Sequence, residues 1–451
     1  MMRGLRSTMT LVLVMGGLIA YIHFVPLNKT ADTGTDTKQE KVFAALQADK
    51  IDEIRVKAAS GDTTTLKKTA GEWQLAAPVA ARADEAIMSG ITSNLASTTI
   101  TRVVEDNASD LKEYGLAEPR IDVGFKAAGD KDYRHLLIGE KSPTGADLFA
   151  KRGDDKRVFL ISAAQETTFN RATFDLRDKT LLRFDREKVD GIEVVAGGKP
   201  LQMAKEGGEW KITRPLQARA DYGTVEGLVS RLQALQMKSI VAAEPGAADL
   251  KKYGFDKPDA SVNVSLGSAR ATLLIGGKSD DTSVYVRDAS MPAVMTVESA
   301  FADDLKKSAG EYRRKDIFEF RAFNATHLEI TRNGQTIVFD KVKGQGGKTP
   351  DTWRRVSPKA ADADKDKIEG AFAKLAGLRA SAFGEPAAKT GLDAPVLTVL
   401  VKFDDGKKEE RVSFGKAGAD TFASRPGEPG AAKIDTADFD DVVKALDEIS
   451  K

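Results

Sequence analysis

The chain has 451 residues, and its 68 basic and 67 acidic side chains leave a formal net charge of +1; without a long block of like charge, that balance argues against a nucleic-acid-tracking surface. Hydrophobic residues at 41% with charged residues at 30% describe globular domains with cores to bury, not a polytopic membrane protein or a disordered chain. No cysteine occurs, which excludes disulfides, thiolate metal sites, cysteine nucleophiles and a lipid-bearing N-terminal Cys.

Arg3 and Arg6 precede an uncharged, largely apolar run from Thr8 to Val25. Eighteen residues at ~1.5 Å each make about 27 Å, close to the ~30 Å of a bilayer core. Residues 1–25 are therefore expected to be a cytoplasmic N-terminus and transmembrane anchor at residues 8–25, with the rest of the chain outside by the positive-inside rule. A cleaved signal peptide is the competing reading, but Tyr-Ile-His-Phe-Val-Pro follows the run where an A-x-A-like site would stand. Residues 26–41 are polar and read as a tether.

From there one skeleton recurs three times. W-x-x-x-x-P is followed by an Asp six residues after the Pro: Trp73, Pro78, Asp84; Trp210, Pro215, Asp221; Trp353, Pro358, Asp364. The copies are 137 and 143 residues apart, and the three tryptophans of the chain all occupy this position. A period so long means domains in series, not a solenoid of ~20–50-residue repeats. The expected domains are 42–185, 186–320 and 321–451.

Each copy opens on a short alternating strand, Ile51 to Val56, Val189 to Val195 and His327 to Ile330, with hairpin turns at Gly61-Asp62 and Asn333-Gly334. The Asp of the skeleton is expected to N-cap a helix. Apolar residues then recur at helical spacing: Met88, Ile91, Leu95; Val225, Leu228, Leu232; Ile368, Phe372, Leu375. Next, Asp110-Leu-Lys-Glu-Tyr-Gly-Leu116 nearly duplicates Asp249-Leu-Lys-Lys-Tyr-Gly-Phe255, with a weaker version at Thr390-Gly391-Leu392. A Pro stands four residues after each Gly, pairing Gly115 with Pro119, Gly254 with Pro258 and Gly391 with Pro395. A short helical turn stopped by a left-handed Gly explains this spacing.

Period-two strands resume at Ile121, Val262 and Leu397, and Leu136-Leu-Ile-Gly139 matches Leu273-Leu-Ile-Gly276 and, loosely, Val412-Ser-Phe-Gly415. Two further short strands and a closing helix complete the copy. The connections 182–189 and 317–323 are apolar enough to predict packed joints. The expected fold class is α+β: a transmembrane helix, then three tandem homologous domains, each a mainly antiparallel sheet with about two helices.

Candidate chemistry fares poorly against bland alternatives. The Trp–Pro–Asp sets would serve as sugar-stacking platforms if exposed, but their spacing fidelity is what core packing and helix capping need. His23, His135 and His327 lack a partner His at metal-ligand spacing. Val342 to Thr349 resembles a phosphate-binding loop, yet Val342 stands for its first Gly, Pro350 blocks the following helix, and the stretch lies where the third copy is longer. Asp362, Asp364 and Asp366 begin like a calcium loop, but Lys367 and Ala373 occupy its Gly and Glu positions. Asp303-Asp304 and Asp440-Asp441 read as solvated helix faces. The sequence assigns no catalytic, cofactor-binding or metal-ligating residue.

With the anchor, the D-x-I-x-V opening strand, W-x-x-x-x-P, D-L-K-x-Y-G-[LF]-x-x-P and LLIG in view, the chain resembles the family named domain of unknown function 4340 over residues 42–450. The resemblance implies a bacterial protein anchored in the inner membrane with its bulk in the periplasm, of a kind often encoded beside ABC-transporter subunits similar to those linked to gliding motility. The expectation is a non-enzymatic accessory or scaffold subunit of an ABC-type transport or envelope assembly system, partnered by permease or ATPase subunits. The alternative is a module binding cell-wall glycan or another envelope polymer.

Overall fold

The computed structural model describes residues 40–451 apart from 154, 345–349 and 386–388. The expected anchor, His23, the tether up to residue 39 and most of the 342–349 stretch lie outside the described residues. Among the described residues no helix is long and apolar enough to cross a membrane.

The chain divides into two compact units, one ending at Asp178 and one beginning at Lys179. The first holds one nine-stranded sheet and the second holds two. In the first sheet the strands are β1 (Ile51–Lys57), β2 (Thr63–Thr69), β3 (Glu72–Ala77), β4 (Ala81–Arg82), β5 (Arg102–Glu105), β6 (Ile121–Ala127), β7 (Arg134–Lys141), β8 (Asp147–Arg152) and β9 (Val158–Ser162). They lie in the order β4-β3-β2-β1-β6-β7-β8-β9-β5, every pair antiparallel. The second sheet, Gly191 to Glu298, and the third, Ala325 to Ile434, repeat that order.

Alternation sets which face is buried. In β1, Ile54 and Val56 are buried while Arg55 between them is exposed. One helix per domain lies on that face: Glu85–Ser97, Tyr222–Ala234 and Lys365–Gly377. All nine residues predicted for the apolar helix stripes are buried. Each large one contributes roughly 1.5–3 kcal/mol by leaving water.

Four details differ from the sequence expectation. The second domain's opening strand starts at Gly191, because Arg186–Lys188 forms a 3-10 turn before it. The closing helix is one element in the third domain, Thr436–Ser450, but two short ones in the first, Gln165–Phe169 and Thr173–Leu176, and in the second, Ser299–Asp304 and Ala309–Tyr312. The D-L-K-x-Y-G motif forms an α-helix in the second copy, Ala247–Lys252, where Gly246 N–H is capped by Asp249 at 3.1 Å, but only turns in the first. The short strands β4 and β5 and their counterparts escape period-two reading at two to six residues each.

Candidate functional site

The repeated residues are placed as parts of the fold. Trp73, Trp210 and Trp353 are only 5%, 2% and 2% exposed. The Trp353 ring lies 5.2 Å from that of Phe372, and Trp210 Nε1 donates to Glu226 Oε1 at 2.9 Å. Pro78, Pro215 and Pro358 each follow a cis peptide bond. Asp84 accepts from the amides of Ala86 and Ile87, Asp221 from that of Thr224, and Asp364 from those of Asp366 and Lys367, each at a helix N-terminus. Asp364 thus spends its carboxylate on a helix cap, as in the other two copies.

The glycine motifs dock on one another. Gly115, Gly254 and Gly391 have φ of +64°, +84° and +70°, a region that favours glycine. The turn each one ends presses its preceding carbonyl against the Gly of the LLIG-type strand. A Cβ on Gly139, Gly276 or Gly415 would stand 2.0, 2.1 or 2.4 Å from the carbonyl oxygen of Tyr114, Tyr253 or Thr390. Pro119, Pro258 and Pro395 each stand two residues before the next strand begins.

The remaining sequence candidates do not converge. His135 Nδ1 lies 2.7 Å from Asp122, and His327 is held between Asp340 at 2.6 Å and Glu329 at 3.1 Å. Among the described residues no group of three or more His, Asp or Glu could hold a metal. Asp303 pairs with Lys306 and Asp440 with Lys416. Asp304 departs from the solvated-face reading: it is partly buried and paired with Arg231 and Lys307.

The densest charge constellation lies at the joint of the second and third domains. Arg219, in the edge strand Ala218–Arg219, donates from Nη1 to Glu319 at 2.8 Å and from Nη2 to the Asp316 carbonyl at 3.1 Å, while its Nε pairs with Glu428. Arg313, 4% exposed, reaches the other oxygen of Glu428 at 3.0 Å and the Pro429 carbonyl at 3.1 Å. Its guanidinium lies 3.9 Å above the Phe383 ring. Behind them Glu410 accepts from the amides of Glu319 and Phe320 and pairs with Arg425 at 2.9 Å.

The connecting segment is hydrogen-bonded on both sides. Arg314 N–H donates to Arg219 O in the second domain, and Ile317 N–H donates to Leu378 O in the third. Of the packed joint predicted at 317–323, Ile317, Phe318 and Phe320 are buried, while Phe323 at its end is 78% exposed.

Burial opposes the charge on Glu428, but Arg219 and Arg313 outweigh it and hold the carboxyl below the usual range. Burial likewise opposes the charge on Glu319, and Arg219 and Arg314 pull its carboxyl down. Burial works against the Arg219 guanidinium, and Glu428 and Glu319 raise it. Carboxylates held ionised in this way are poor general acids near neutrality. The enclosed space is about 20 Å3, room for about one water. The constellation is suited to clasping two domains.

Sequence reading missed this ionic clasp because Arg219 and Glu428 are 209 residues apart. One signal was present: the tetrad before the capped helix is Ala-Arg-Ala-Asp at 81–84 and 218–221 but Ala-Asp-Ala-Asp at 361–364.

Comparison with known proteins adds a family. A model described as domain of unknown function (DUF4340) matches residues 73–211, 210–352 and 353–451, each match opening on the Trp of the skeleton. No curated protein matches the chain. Among solved structures, a DNA polymerase sliding clamp from Pseudomonas aeruginosa, crystallised with ligand, aligns at 8% identity over 87% of this chain and 93% of that one, with a TM-score of 0.17. A score so low carries no argument.

Proposed function

The chain belongs to the DUF4340 family, and from that premise we propose a non-enzymatic, membrane-anchored envelope protein acting as an accessory or scaffold subunit of an ABC-type transport or envelope assembly system. The observation that carries the scaffold part is the joint. Arg219 is clasped by Glu319 of the connecting segment and Glu428 of the following domain, and the connecting segment is bonded to both domains. Fixed orientation between domains serves a protein that holds partners in place. The partner class, permease or ATPase subunits, rests on the resemblance in the sequence, and the inner-membrane location rests on residues 8–25. The burial of all three tryptophans counts against the glycan-stacking alternative, which needs exposed indoles.

The test is cross-linking in native membranes followed by mild detergent extraction and mass spectrometry of the tagged full-length chain, with a form lacking residues 1–25 as control. Recovery of permease or ATPase subunits with the anchored form alone is the expected result. Recovery of neither, or of glycan equally with both forms, overturns the reading.

A further inference from the structure

The three domains share one plan, so each is a control for the others, and at one place the second departs from both. Between the open end of its sheet and the segment Ser299–Tyr312 lies a groove of about 890 Å3, within the roughly 300–1,000 Å3 typical of small-ligand sites. Its floor is apolar: Val194, Leu201, Ala260, Ile275 and Leu305.

Strand register identifies the equivalent positions, since Val56 pairs with Thr64 and Val123 as Val194 pairs with Leu201 and Val262. In the first domain larger side chains stand at these positions. Ile121 and Phe169 are fully buried there, Thr64 Oγ1 meets Thr173 Oγ1 at 2.7 Å, and Asn170 Oδ1 accepts from the Ala59 amide at 2.9 Å. The second domain has Ala260 for Ile121, Leu305 for Phe169 and Ala309 for Thr173. In the third, Leu397 replaces Ala260 and the helix Thr436–Ser450 runs across the site, tied down by Arg332 to Asp447 at 2.8 Å; about 190 Å3 remains.

The mouth of the groove carries charge. Lys199, Lys278, Lys306 and Lys307 stand around it with Asp259, Asp281 and Asp303. Lys306 is engaged by Asp303 at 2.7 Å and Lys307 by Asp304 at 3.5 Å, while Lys278 acts on Asp303 only from a distance and, with Lys199, supplies the ammonium left to meet a ligand's head. An apolar floor beneath ammonium groups is complementary to an apolar chain with an anionic head. We propose that the second domain binds a single-chain amphiphile, with a fatty-acyl tail on the Val194–Ala260–Leu305 floor and an anionic head at Lys199 and Lys278. This assignment is independent of the scaffold reading and of any transporter partner.

Titration of the full-length chain with a fluorescent undecanoic acid, and with its methyl ester as the uncharged control, tests it. The acid should bind saturably, one per chain. Restoring the first domain's residues with Ala260→Ile and, separately, Leu305→Phe should weaken acid and ester alike by tenfold or more. Because those changes fill a core edge, Lys199→Glu with Lys278→Glu, on the surface, provides a second handle: it should weaken the acid tenfold or more and the ester less than twofold. Unlabelled fatty acid and a single-chain phosphate monoester, used as competitors, rank the two anionic heads, and displacement by either supports the site. No saturable binding of the acid, unchanged affinity in the filled variants, or equal loss of acid and ester in the lysine variant overturns the proposal.

Discussion

At one sheet edge the second and third domains carry Ala-Arg219-Ala-Asp221 and Ala-Asp362-Ala-Asp364. Asp221 and Asp364 do the same work, each capping its helix. Arg219 and Asp362 do not: Arg219 is held by Glu319 of the connecting segment and Glu428 of the following domain, whereas Asp362 is exposed. Two residues apart on one strand edge, the position that stays constant holds the domain together and the position that varies holds it to a neighbour. Here the letter common to all three copies, Asp84, Asp221 and Asp364, marks folding duty, and the position that changes in the third copy, Asp362 against Arg82 and Arg219, is the one that serves a joint in the second.

The sharpest way to break this comparison is Arg219→Ala beside Asp362→Ala. The first should cost about 3–5 kcal/mol, because Glu428 and Glu319 lose their main partner in a largely desolvated site. The second should stay within about 0.5 kcal/mol. Denaturant unfolding of the full-length chain, with hydrogen exchange read at 313–320, checks both; equal effects would refute the division of roles. The same clasp should respond to acid. The carboxyls of Glu428 and Glu319 are held below their ordinary value of 4.5, so their stabilising contribution is full above that pH and is lost as pH falls through the lower folded-state value. Exchange at the joint should therefore quicken as the pH falls below that value in the wild type and lose that dependence in Arg219→Ala.

Next in size, Gly276→Ala forces a Cβ to within 2.1 Å of the Tyr253 carbonyl and should destabilise by about 1–3 kcal/mol. Gly139→Ala and Gly415→Ala should do likewise, since the motif contact is common to all copies. Asp221→Ala and Asp364→Ala should each cost about 1 kcal/mol, and a large difference between them would undercut the claim that constant positions serve the fold. Smallest and opposite in sign, Gly370→Ala should stabilise by about 0.5–1 kcal/mol. Gly370 sits inside the helix Lys365–Gly377 with nothing within 4 Å of its Cβ position, and a thermal melt would show the gain.

How much of the molecule is legible in the sequence depends on how local each feature is. The caps at Asp84, Asp221 and Asp364 and the apolar helix faces are settled within a few residues, so spacing alone exposes them. Gly139 and Gly276 stand out as repeated letters, but their reason, a carbonyl pressed against the strand from a turn more than twenty residues away, is tertiary. The clasp of Arg219 by Glu428 spans 209 residues and leaves no periodicity to find. The groove of the second domain is equally hidden. Ala260 in an alternating strand satisfies the pattern as well as Ile121 does, because pattern registers apolarity and not the volume left unfilled.

The segment from Arg313 to Phe320 has a mechanical consequence. It donates backbone hydrogen bonds to the second domain at Arg314 and to the third at Ile317, with Asp316 bridged to Arg379. A free linker would lengthen by up to ~3.3–3.6 Å per residue under tension before it loaded the next domain. This one has no slack to give. A pull on either domain should therefore load these hydrogen bonds and the Arg219 clasp before the connection can lengthen.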